Sequence, residues 1–74
     1  MDRWDNIIIE VALNFLAELE KKKAVLKFNV SDIKKNLPFL IGKQPTDAYI
    51  QMILDDEFSK RYDGKYVVYF LKVK

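Results

Sequence analysis

Phe58-Ser59-Lys60-Arg61-Tyr62-Asp63-Gly64-Lys65-Tyr66-Val67-Val68-Tyr69-Phe70-Leu71 is the stretch on which the fold turns. An Asp-Gly pair between two strand-like runs is the strongest short-range hairpin signal, because both residues tolerate the positive φ that a tight primed turn demands. The returning run is dominated by β-branched and aromatic side chains, which suit a pleated, half-buried surface. With Asp63-Gly64 as the turn, the strands are Phe58–Tyr62 and Lys65–Val73. Tyr62 then faces Lys65, Arg61 faces Tyr66 and Lys60 faces Val67. That pairing gathers Lys60, Arg61 and Lys65 at a cationic tip, with a tyrosine on each side and an apolar root below.

N-terminal to the hairpin the rhythm changes from two to nearly four. A helix is expected from about Pro45, a residue suited to a first turn, to about Asp56. Tyr49, Ile50, Ile53 and Leu54 form its apolar side and Met52 a flank, while Asp47, Gln51 and Asp55 recur every four residues and face outward together. Before it, Ser31 reads as the N-cap of a short helix over Asp32 to Leu37, with Ile33 and Leu37 inward and Lys34 and Lys35 outward. Pro38 stops that helix, since the residue before a proline resists the helical region. Phe39, Leu40 and Ile41 follow as a connection that plugs the core.

The N-terminal third holds a long amphipathic helix from about Asp5 to Lys22. Ile8, Val11, Ala12, Phe15, Leu16 and Leu19 keep the spacing of one buried face, opposite a polar stripe of Asn6, Glu10, Asn14 and Glu18. Ile7, Ile9 and Leu13 widen the apolar sector. Either the helix is sunk deep in its own domain, or it also packs against a second copy. Ala24 to Asn29 then alternates in a way that predicts one short strand. The expected fold class is therefore α+β: three helices, a short strand after the first, and a C-terminal β-hairpin, in one domain over residues 1–74.

Composition narrows the function. A chain of 74 residues without Cys or His has neither disulfides nor the common zinc ligands to supplement its core. Apolar burial must supply the stability, and 50% of the residues are hydrophobic. No run reaches the roughly 20 apolar residues of a membrane span, and no basic start precedes a signal-like stretch. A soluble, cytoplasmic protein is expected, with no membrane partner. The only serines, Ser31 and Ser59, have no neighbour that would activate a nucleophile. Asp55-Asp56-Glu57 invites a hard cation, yet adjacent helical residues point in different directions. No enzyme and no cofactor are expected.

Charge is segregated along the chain. Residues 24–46 carry Lys27, Lys34, Lys35 and Lys43 against Asp32, residues 47–57 carry four acids and no base, and residues 58–74 carry five bases against Asp63. A basic hairpin and basic second helix thus flank an acidic third helix.

Taken together, the order helix, strand, helix, helix, hairpin and the segment from Phe58 to Leu71 resemble the winged helix-turn-helix superfamily, across nearly the whole chain. The segment is similar to the wing of small bacterial and archaeal transcriptional regulators. The resemblance implies a sequence-specific double-stranded DNA-binding transcriptional regulator. Helix 45–56 would take the recognition position in the major groove, the helix 32–37 the positioning role, and residues 58–73 the wing. It assigns base contacts to Gln44, Thr46, Asp47, Tyr49 and Gln51. Lys34, Lys35 and Lys43 would meet phosphates, and Lys60, Arg61 and Lys65 the backbone or minor groove. A homodimer through the first helix would double the site read. The alternative reading is a protein-interaction module that uses the acidic third helix or the apolar first helix.

Overall fold

The long apolar rhythm becomes α1, Arg3–Lys21, in a computed structural model that describes residues 3–38 and 44–72. Ile8, Ala12 and Leu16, four apart, form its buried ridge, flanked by Trp4, Ile7, Val11, Phe15 and Leu19. Leu13 lies off that ridge and is 48% exposed. The helix ends in a Schellman motif: Ala24 N–H donates to the Leu19 carbonyl at 2.9 Å and Lys23 N–H to Glu20 at 3.0 Å. Lys23 takes the left-handed position usually given to glycine, with φ 56°.

The strand expected over Ala24–Asn29 is reduced to a single bridge, a correction with a local cause. Lys27 N–H turns back onto the Val25 carbonyl at 3.0 Å, so the chain bends at Leu26 instead of extending. Only Phe28 pairs, exchanging both backbone hydrogen bonds with Tyr69 at 3.0 and 2.7 Å.

The second helix, α2, spans Val30–Asn36, and its cap is Asn29, not Ser31. Asn29 Oδ1 accepts from Asp32 N–H at 2.9 Å, and Asp32 Oδ2 accepts from Asn29 N–H at 3.0 Å. This reciprocal capping box satisfies two end groups at once, which Ser31 would not do because Lys34 stands three residues after it. Ile33 and Leu37 are buried as expected, and Leu37 is extended (φ −70°, ψ 139°) ahead of Pro38. The expected plug at Phe39, Leu40 and Ile41 lies outside the described residues.

The third helix, α3, spans Asp47–Glu57 and starts two residues later than Pro45 suggested, because Thr46 caps it by accepting from Tyr49 N–H at 3.2 Å. Ile50 and Leu54 are fully buried, and Phe58 ends the helix inside the core. The Tyr49 hydroxyl donates to Asp5, tying α3 to the start of α1.

The hairpin forms from β1 (Ser59–Asp63) and β2 (Tyr66–Phe70). Its register differs from expectation: Asp63 faces Tyr66, Tyr62 faces Val67, Arg61 faces Val68 and Lys60 faces Tyr69. The loop is Gly64-Lys65. Gly64 has φ 64° while Lys65 is not among the positive-φ residues. That is the pattern of a turn with glycine first, and it spares Asp63 a left-handed backbone. Phe28 sits at the aromatic centre of the core, edge-on to Phe58 at 5.2 Å and to Phe15 at 6.4 Å, and stacked with Tyr69 at 5.9 Å. The architecture is a small α+β domain of three helices with a two-stranded antiparallel hairpin at its C-terminal end.

Candidate functional site

Asp47, Gln51 and Asp55 project from one side of α3 at intervals of four residues, toward α2 at one end and the hairpin at the other. Each carboxylate is taken by a lysine from a neighbouring element. Lys34 Nζ of α2 lies 2.8 Å from Asp47 Oδ1, and Lys60 Nζ of β1 lies 3.1 Å from Asp55 Oδ1. The Tyr69 hydroxyl donates to the same Asp55 oxygen at 2.7 Å. Asp55 therefore clamps both hairpin strands to α3.

Electrostatics follow that geometry. The Tyr69 hydrogen bond outweighs the opposing effect of burial and, with the lesser hydrogen bond and charge of Lys60, holds the Asp55 carboxyl below its ordinary value. Burial first, and then the Asp55 carboxylate, push the Tyr69 hydroxyl well above its ordinary range, with the Gln51 amide acting in the opposite sense. Both groups keep their usual forms at neutral pH. The clamp is a neutral phenol donating to a carboxylate.

Beside Asp47 lies an open cleft of about 500 Å³, bounded by Asn29 and Ser31 at the start of α2, Asp47 and Gln51 on α3, and Lys65, Tyr66 and Val67 of the hairpin. Gln51 is half-buried on its floor. Tyr66 also lines the cleft and is 69% exposed; Tyr62, 72% exposed, shares the other hairpin face with Val67. Such polar, partly apolar walls offer hydrogen bonds and stacking surface together.

The expected site residues are only partly brought together. Lys34 and Gln51 lie on this face, and Lys65 is at the turn. Lys35 is exposed on α2 and, like Arg61 and Lys65, makes no ion pair among the described residues. Thr46 is occupied as the α3 cap, and Gln44 is half-buried just before it. Tyr49 is drawn inward onto Asp5, away from any groove-facing position. Lys43 lies outside the described residues. The cationic cluster of Lys60, Arg61 and Lys65 is not formed. Neighbours in a strand point to opposite faces, so Lys60 turns onto Asp55 while Arg61 lies beside Val25, Leu26 and Phe70, and the observed register leaves Lys65 in the loop. The sequence pattern did not single out Asn29, and read Ser31 as a cap; Tyr66, expected with Tyr69 and Phe70 to fill the core more readily than to stack on bases, is exposed. The Asn-x-x-Asp spacing at 29–32 would have identified the cap and freed Ser31 to face the cleft.

Asp55, Asp56 and Glu57 do not converge: among the described residues no three acidic, His or Cys side chains are placed to hold a metal ion. Nor, among those residues, is any helix long and apolar enough to cross a membrane. No protein family, curated protein or solved structure matches this chain.

Proposed function

We propose that the domain binds double-stranded DNA as a winged-helix transcriptional regulator, with α3 toward the major groove and the hairpin turn on the adjoining backbone. The layout of α2, α3 and hairpin is compatible with that architecture. One observation carries the reading: both carboxylates on the outward stripe of α3 are already neutralised, by Lys34 and Lys60. A helix without Lys or Arg would otherwise be repelled by phosphates. Here a neutral reading face is flanked by the unpaired bases Lys35 and Lys65.

With Lys35 and Lys65 as two phosphate contacts, affinity falls with salt at a logarithmic slope near −1.8, or about 12-fold between 50 and 200 mM. A single copy presenting so few cations binds weakly, and pairing through α1, where Leu13 is exposed, doubles the contacts. Fluorescence anisotropy with a random-sequence duplex, repeated over a salt series, tests the reading. A slope within one unit of that value supports it. Absence of binding at 20 mM salt favours the second reading, a basic protein partner held by the outer flank of α3. That flank offers Met52, 57% exposed, beside Asp56 and Glu57, with Lys72 Nζ on the Asp56 carbonyl at 2.8 Å.

A further inference from the structure

Three side chains form the outward stripe of α3, and two of them are committed. Asp47 is held by Lys34 at 2.8 Å, and Asp55 by Lys60 at 3.1 Å and by the Tyr69 hydroxyl at 2.7 Å. Gln51, one turn from each, lines the cleft; one amide N–H is directed to the Tyr69 oxygen, and its second N–H and its amide oxygen are left for a ligand. Tyr69 is 0% exposed and stacked on Phe28, so its hydroxyl is a fixed point of the core. An amide resting beside such a point loses rotamer freedom before any ligand arrives, which lowers the cost of ordering it on binding.

We infer that Gln51 is the specificity-determining residue of this face, and that it selects an adenine of an A·T base pair. The inference rests on the DNA-binding reading above and adds which base is read and by which group. A glutamine amide presents one acceptor and one donor side by side, matching the N6 donor and N7 acceptor of adenine in the major groove. Guanine offers two acceptors at the same edge and leaves the amide oxygen facing another oxygen. Asp47 and Asp55 would accept from cytosine if free, but their lysines occupy them. Adenine is the base that the remaining chemistry fits.

The test is selection of the intact 74-residue protein against random duplex DNA, followed by the same selection with Gln51→Ala and Gln51→Arg. Gln51 lies outside the core cluster, and alanine raises helix propensity, so both variants are checked for an unchanged far-UV spectrum and melting point. The expected result for the native protein is one dominant A·T position. In Gln51→Ala that position loses about 5- to 140-fold of its discrimination, the range of one bidentate base contact. The neighbouring positions and the salt slope stay unchanged. Gln51→Arg moves the preference at that position to G·C, since a guanidinium matches the two guanine acceptors. Native preference retained in Gln51→Ala overturns the inference while leaving DNA binding in place. Failure of the native protein to bind any duplex overturns both.

Discussion

Removing the Asp55 carboxylate breaks the Tyr69 and Lys60 attachments of the hairpin to α3, and the cost can be worked from these two contacts. The Tyr69 hydroxyl, on a residue with 0% exposure, donates to Asp55 at 2.7 Å. A hydrogen bond to a charged acceptor contributes about 1.5–3 kcal/mol, and the lost acceptor leaves a buried donor poorly satisfied. The Lys60–Asp55 pair, 3.1 Å long with side chains 35% and 38% exposed, adds about 0–1 kcal/mol after solvent screening. Asp55→Ala is therefore expected to destabilise the domain by about 2–4 kcal/mol, a large part of the roughly 4–11 kcal/mol available to a chain of this length. The midpoint of thermal unfolding falls by about 4–8 °C for each kcal/mol. A double-mutant cycle with Tyr69→Phe isolates the clamp: once the hydroxyl is gone, Asp55→Ala loses only the exposed ion pair, so the coupling energy from urea denaturation is at least about 1.5 kcal/mol. Because the folded carboxyl is held below its ordinary value of 3.8, this contribution is fully present above that pH and is lost as the pH falls through the folded value. A coupling below about 0.5 kcal/mol, or one that does not decline in acid, refutes the reasoning.

Three further outcomes follow from local geometry. Lys23→Gly relieves a left-handed backbone at φ 56° and is expected to stabilise the domain by about 0.5–1 kcal/mol, read as a higher urea midpoint at constant m-value. Asn29→Ala removes the side-chain half of the α2 capping box, leaving the backbone N–H of residue 29 on Asp32, and costs about 0.5–2 kcal/mol in the same assay, whereas Ser31→Ala costs less than about 0.5 kcal/mol. The raised Tyr69 value makes the folded state hold its proton longer than the unfolded chain. Stability is therefore retained below the ordinary tyrosine value of 10.0 and declines by about 1.4 kcal/mol per unit as the pH rises beyond it, a limb that Tyr69→Phe abolishes.

Much of the fold was legible because the apolar spacing of each element is strong. Ile8, Ala12 and Leu16 on α1, Ile33 and Leu37 on α2, and Ile50 and Leu54 on α3 are buried where periodicity places them. The hairpin was legible for the same reason, but its register was not. Each β1 residue pairs two positions further along β2 than the Asp63-Gly64 turn implied, and a slip of two leaves every side chain on its own face. Alternation is silent about such a slip. The choice lay in the backbone, which places the left-handed residue at Gly64 and not at Asp63. The strand after α1 was overread because the hydrogen bond at Val25–Lys27 is invisible to side-chain pattern.

The site was less legible than the fold. Sequence spacing put Asp47, Gln51 and Asp55 on one face, and that held. Which lysines would reach those acids depended on how α2 and β1 pack around α3, at sequence separations of 13 for Lys34–Asp47 and 5 for Lys60–Asp55. A tally of charge along the chain counted Lys60 as free for a phosphate and Asp55 as free to repel one. Packing pairs them with each other.

The most direct measurement is a titration of isotope-labelled protein with a 16-base-pair duplex, followed by backbone amide resonances. The account predicts shifts that map to Ser31, Lys34, Gln51, Lys65 and Tyr66, around the cleft between α2, α3 and the hairpin turn. Shifts confined to α1, or spectra unchanged by a saturating duplex at low salt, would contradict it.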